Sequence, residues 1–371
     1  MNIPTSMLSL HDLLRQRVTH IPVTQLLIFI NFSVFIAMLT EGADLWHSSN
    51  GMQLVWGANF SPAVQDGEWW RLCSALFLHF GIIHLALNLL ALWDSGQFVE
   101  RMYGHARFTI IYFSSGLTGN LLSLVTSQGS TVSGGASGAI FGVYGALLIF
   151  LWHERDNLNQ REFRWLFWGA AGFSTITIVL GLLVTGIDNA AHIGGFVTGI
   201  FSGIILIRSN ITKPIFPHSR LVSGSIFTLL ILILVGQIPA PTYRWSEEVL
   251  VRKEIGEFLR DDAAITQTWQ SILDEGKRGD ISFDELAGRI DTSVSDRYKE
   301  SFEQLSHLPP NPALPSAATV EMLRQYAEQR RNASRSLAEG LRTGQSAQII
   351  NALEMERMSR QFARPDNAET R

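Results

Sequence analysis

Ser137 lies in the run Gly134-Gly135-Ala136-Ser137-Gly138-Ala139-Ile140-Phe141-Gly142, a hydroxyl among glycines at the head of an apolar segment. Gly135 and Gly138 leave room for a second backbone to approach that hydroxyl. A serine attacks a carbonyl when a general base takes its proton, and imidazole suits that task near neutral pH. His192, in Ala191-His192-Ile193-Gly194-Gly195, is the candidate base. His79, His84 and Asn88 fall in another apolar segment, and His84 and Asn88, four residues apart, share a helix face. Imidazole and amide N–H groups are suitable donors to an oxyanion that forms during such an attack.

The elements that must carry these groups are apolar runs at about residues 23–39, 79–99, 108–127, 137–151, 163–184, 189–207 and 221–238. Their length and character predict seven membrane-spanning helices, followed by a polar, helical tail. Ionisable groups inside such helices are expensive, which makes each one a functional candidate. The loop charges orient the array. Arg15 and Arg17, Arg101 and Arg107, Arg155, Arg161 and Arg164, then Arg208, Lys213 and Arg220 occupy alternate connections, while the others hold only Arg71. The positive-inside rule puts the N-terminus in the cytoplasm, and an odd number of spans puts the tail outside it. Residues 1–21 lack the layout of a cleaved signal peptide, so the first run is expected to stay as an anchor and the setting to be a plasma or inner membrane.

Depth follows from helical rise. From the cytoplasmic edge, the fourth run carries Ser137 up roughly 22 Å of a core about 30 Å thick. His192 and His84 reach about 24 Å by the same measure, with Asn88 roughly one turn lower. A serine, two histidines and an asparagine therefore come to nearly one level. Gly195, Gly199 and Gly203 recur every four residues on the sixth run, as do Gly138, Gly142 and Ala146 on the fourth. Small residues at that spacing let helix backbones approach closely in lipid, so these two helices should touch. His192 shares the glycine face of its helix. Gly129, Ser130, Ser133, Gly134 and Gly135, just before Ser137, form no stable span, and irregular backbone at that depth lines a wet cavity or is buried in protein.

The connection at residues 40–78 is long for a structureless loop, and Trp46, Trp56, Trp69 and Trp70 place it along the interface. Cys73, the only cysteine, excludes an intramolecular disulfide and a cysteine-rich metal site, and reads as a small packing residue. The net charge of -4 argues for no nucleic-acid partner. No cofactor or metal is expected. In the tail, residues 245–274 show helical spacing at Val249, Ile255, Phe258, Leu259, Ile265 and Ile272, and residues 318–341 and 345–362 read as two more helices. Residues 274–285 resemble a calcium loop, but Gly276 and Arg278 stand where oxygen ligands belong, so the segment reads as a surface turn.

Taken together, the sequence resembles the rhomboid family of intramembrane serine proteases. The resemblance rests on Trp70-Arg71, on His79, His84 and Asn88 as H-x4-H-x3-N, and on Gly96, Glu100 and Gly104. Gly135-Ala136-Ser137-Gly138 and Ala191-His192-Ile193-Gly194-Gly195 complete it, over about residues 22–208. It implies an all-α polytopic membrane protein: a six-helix bundle with a seventh C-terminal transmembrane helix and a helical soluble tail. The domains are then 1–21, a cytoplasmic segment; 22–208, the catalytic membrane domain; 209–238, a linker and seventh helix; and 239–371, a soluble extracytoplasmic domain.

The resemblance further implies a Ser137–His192 dyad, with an oxyanion held by the Ser137 N–H, His84 and Asn88. Gly135, Gly138, Phe141, Gly195, Gly199 and His79 support the site, and His79 steadies the first loop. Asp188 is read as a helix-start residue near the surface, and Trp70, Arg71, Asp94 and Glu100 as structural. The sequence departs from many bacterial members at Phe141, where they carry a tyrosine that stacks on the histidine. The substrates implied are single-pass or other transmembrane proteins in the bilayer. The alternative is a non-catalytic relative that binds membrane clients, but such proteins usually lack the serine or the histidine. A transporter is disfavoured because the halves show no repeat.

Overall fold

The computed structural model describes residues 10–127, 131–184, 186–207, 217–279 and 281–362. The expectations for Gly129 and Ser130, for Arg208 and Lys213, and for the first nine residues lie outside the described residues. The chain divides into two compact units, Met1–Pro241 and Thr242–Arg371.

The first unit opens with a short helix, α1 (Leu10–Arg17), which buries Leu10 and Leu14 in the membrane-unit core. The first span, α2 (Pro22–Thr40), begins with proline, whose missing N–H needs no partner there. The next N–H groups, of Val23 and Thr24, donate to the Glu100 carboxylate at 3.0 and 2.8 Å, and the Thr24 hydroxyl donates to it at 2.6 Å. A fully buried carboxylate thus satisfies donors that every helix start leaves open.

The connection after α2 is not structureless. It holds α3 (Asn50–Val55), a two-residue strand β1 (Asn59–Phe60), α4 (Ser61–Gln65), α5 (Arg71–Ser74) and a 3₁₀ turn, Ala75–Phe77. The buried Arg71 ties these pieces together by donating to Leu54 O at 2.7 Å and Ala58 O at 3.3 Å, and it pairs with Glu68. Trp46, Trp69 and Trp70 are exposed, as side chains of an interfacial loop should be. Cys73 corrects the expectation of a packing residue: it is exposed. It stands two residues after Arg71 on a one-turn helix, so it faces away from the side Arg71 buries.

The remaining spans are α6 (Ile82–Tyr103), α7 (His105–Thr126), α8 (Ser137–Glu154), α9 (Gln160–Leu183), α10 (Asn189–Leu206) and α11 (Pro217–Gly236). With α2 they make seven helices long and apolar enough to cross a membrane among the described residues. The protein is an all-α polytopic membrane protein. The second span starts at Ile82 and leaves His79 outside it, because the Ile82 N–H donates to Leu45 O (2.9 Å) in the first connection.

α8 is the most enclosed of the seven and packs against α7, α10 and α6. α9 buries only Ala170 and Ser174. Between α7 and α8 lies β2 (Val132–Ser133), which pairs antiparallel with β1 in the register Asn59↔Ser133 and Phe60↔Val132. The first connection and the segment leading to Ser137 are therefore joined by backbone.

The second unit holds α12 (Trp245–Arg278), α13 (Phe283–Ile290), a π-helical turn (Asp291–Ser295), α14 (Asp296–Ser306), α15 (Ala317–Thr343) and α16 (Ser346–Phe362). α12 buries Val251, Phe258, Ile265, Trp269 and Ile272, spaced mostly by sevens, threes and fours. Val249 and Leu259, counted on the apolar face from sequence, are exposed. Val249 precedes Val251 by two residues and so points the other way. Asp274 to Arg278 remain helical up to Gly279, which caps α12 at φ 76°, so this stretch has no calcium-loop backbone. Within the core, Asp262 accepts hydrogen bonds from the Tyr298 and Tyr326 hydroxyls at 2.7 and 2.9 Å. Burial pushes both phenols up, which keeps them protonated as donors.

Candidate active site

Ser137 is the first residue of α8, where backbone N–H groups lack intrahelical acceptors. Its Oγ lies 2.8 Å from Nε2 of His192, in the first turn of α10. What brings them so close is the glycine contact between the two helices. A Cβ built at Gly195 would stand 1.9 Å from Gly138 O, and one at Gly199 would stand 1.9 Å from Gly142 O. Gly138 itself has room for a Cβ only 3.2 Å from Ala191 O. No larger residue fits at Gly195 or Gly199 unless the backbones part.

His192 is 5% exposed, and among the described residues its Nδ1 has no hydrogen-bond partner and no carboxylate bonds the ring. The flat face of Phe141, one turn after Ser137, orients it, with centroids 4.3 Å apart and planes 8° from parallel. A phenyl ring thus suffices for stacking without a hydroxyl.

His84 stands beside Ser137. A Cβ built at Gly135 would lie 3.0 Å from His84 Nε2 and Cε1, and 3.6 Å from Ser137 Oγ. Gly135 also has φ +145°, which side chains rarely adopt, so a substitution there would be strained as well as tight against His84. The Phe80 N–H approaches His84 Nδ1 at 3.5 Å, which favours the tautomer with its proton on Nε2, facing the site. Asn88 donates one of its two amide hydrogens to His84 O at 2.8 Å. His79 is fully buried, meets the His84 ring edge-on at 5.0 Å, and its carbonyl accepts from Gln53 Nε2 at 3.0 Å. It joins the first connection to the second span. If His84 Nε2 is the side-chain donor to the oxyanion, His84→Ala should lower kcat by about 100- to 1000-fold with KM nearly unchanged. Steady-state cleavage of a test substrate measures this.

Asp188 stands at the helix start, as the sequence reading expects. It is half-buried, and Oδ1 caps α10 by accepting the Ala191 N–H at 2.9 Å. Oδ2 accepts the hydroxyls of Ser123 (2.5 Å) and Ser133 (2.6 Å). Sequence reasoning missed both serines, although a hydroxyl near the end of α7 and another just before the Gly134-Gly135 pair were visible as polar residues in search of a partner. Asn189 was missed too; its Nδ2 donates to Ile178 O of α9 at 3.1 Å. Among the described residues, no three His, Cys, Asp or Glu side chains are grouped to hold a metal ion.

Comparison with known proteins gives this geometry a context. A family model described as "Rhomboid domain" matches residues 66–209. The rhomboid protease GluP of Bacillus subtilis is 39% identical over 293 residues, which is 73% of this chain and 52% of that protein. RHOMBOID-like protein 4 of Arabidopsis thaliana is 33% identical over 212 residues, 53% of this chain and 51% of its own. The chain thus spans about half the length of each of these two. The putative rhomboid protease YdcA of Bacillus subtilis is 29% identical over 175 residues, 47% of this chain and 82% of its own. Since the matched residues include the serine-headed helix, the histidine-bearing helix and the span that carries His84, the chain belongs to the rhomboid family.

Proposed function

We propose that this protein is an intramembrane serine endopeptidase that cuts transmembrane segments of other membrane proteins near the extracytoplasmic face. The observation that carries this reading is the 2.8 Å separation of Ser137 Oγ and His192 Nε2. It is a nucleophile–base distance within hydrogen-bond reach. The names of the bacterial relatives, both called rhomboid proteases, agree with it.

In this reading His192 Nε2 takes the hydroxyl proton as Ser137 Oγ bonds to the scissile carbonyl carbon. The oxyanion that forms faces the Ser137 N–H at the positive end of α8, and the donors on His84 and Asn88. The carbon–nitrogen bond then breaks, and His192 passes its proton to the departing amine. Water enters, gives a proton to His192 and adds to the acyl carbon; the bond to Ser137 Oγ then breaks as His192 returns the proton to that oxygen, freeing the carboxylic acid product. The N-terminus lies in the cytoplasm and the second unit outside it, following the distribution of Arg and Lys between connections.

The test is cleavage of a single-pass test substrate in liposomes that contain the full chain. A product whose mass places the cut in the outer part of the substrate's span supports the reading. Substrate that is bound but stays whole would instead favour the client-binding alternative. Because the second unit has its own core around Trp269, a chain truncated after Gln237 should keep basal cleavage within a few-fold of the parent. Loss of all cleavage by a folded truncated protein would overturn that expectation.

A further inference from the structure

We propose that Asp188 is a positioning residue: with α8 and α10 already in glycine contact, its single carboxylate fixes how the chain enters each helix, and so the final placement of Ser137 and His192, by gripping the segments just before them. The inference rests on the dyad reading above.

Asp188 precedes His192 by one helical turn, and Ser133 precedes Ser137 by four residues. The carboxylate binds both ends of this arrangement. Oδ1 fixes the first turn of α10 through the Ala191 N–H, and the Asp188 carbonyl accepts the His192 N–H at 3.2 Å. Oδ2 holds Ser133, and through Ser123 it is tied to α7, a helix that contributes neither reacting group. Hydrogen bonds to an ionised acceptor are the stronger kind, and three converge here.

The segment that needs such a grip is Gly134-Gly135-Ala136, where two glycines make the backbone pliable. On one side it is held by the β1–β2 pairing and by the Gly135 N–H, which donates to Ala75 O at 2.8 Å. On the other side, Ser133 Oγ to Asp188 is the link that refers it to the helix of the base. Among the described residues His192 Nδ1 has no partner, so the ring is placed by the Phe141 face and by where α10 begins. An error of about 1 Å in such a pair can lower a rate about 100-fold.

A simple helix cap would serve stability alone, and serine caps helices about as well as aspartate. Serine is too short to reach Ser123 and Ser133 as well. The experiment therefore measures the rate at which a fluorophosphonate labels the full-length protein, per folded molecule, for the parent, Asp188→Ser, Ser133→Ala and their combination. Each single variant is expected to keep its folding transition, to label about 100-fold more slowly, and to lower kcat on a test substrate with KM unchanged. The combined variant is expected to be no slower than the worse single one, since both remove the same link. Ser133→Ala leaves the α10 cap intact and carries the test if Asp188→Ser does not fold. Labelling of Ser133→Ala at the parent rate, or losses that multiply in the combined variant, would overturn the inference. Failure of the dyad reading looks different: the parent itself would not label, or Ser137→Ala would label as fast.

Discussion

Ser137→Ala is expected to lower single-turnover cleavage by about 10⁴- to 10⁶-fold, with the protein still folded and still binding substrate. The hydroxyl is the only group at the head of α8 that can form the acyl bond, and its removal leaves the glycine contact beneath it untouched. His192→Ala should produce a loss of similar size. The combined variant should be little worse than either, because nucleophile and base act as one unit. Residual rates that multiply would mean that the two groups work independently, and the mechanism above would fail. In the proposed reading the site lies at membrane depth, so a transmembrane substrate suits the measurement better than a water-soluble reporter.

The second large effect is structural. Gly199→Val should lower stability by about 3 kcal/mol or more, and cleavage should fall with it. Its Cβ alone would sit 1.9 Å from Gly142 O and 2.5 Å from Gly142 C, so the obstacle is backbone and cannot rotate aside. The control is Gly172→Ala on α9, where nothing lies within 4 Å of the added carbon. That change should be neutral or raise stability by up to about 1 kcal/mol, as alanine favours helix over glycine. Thermal unfolding in detergent, alongside cleavage, separates the two. Equal melting temperatures for Gly199→Val and the parent would refute the packing argument.

What could be read from the sequence follows from range. The spans were legible because hydrocarbon forces long apolar runs, which leave a signal over some twenty neighbouring residues. The approach of α8 to α10 was legible because each helix carries its own stripe of small residues, visible without knowing the partner. The short helices at residues 50–77 were not, because they are held by Arg71 and by pairing with β2, across gaps that no local pattern spans. Asp188 was half legible. Its place before Ala191 marked a helix start, but its bonds to Ser123 and Ser133 join positions 65 and 55 residues away. Val249 shows the opposite failure: it was counted with the helical spacing, but it lies out of phase with the buried Val251, Phe258 and Ile265 and is exposed.

The meeting of α8 and α10 backbone to backbone at Gly195 and Gly199 has a mechanical corollary. Where two rods touch main chain to main chain, there is no cushion of rotamers to compress or slide. The serine and the imidazole are the tips of one stiff two-pronged fork. A bilayer that swells, thins or shears can lean the fork, but it carries both tips through the same arc.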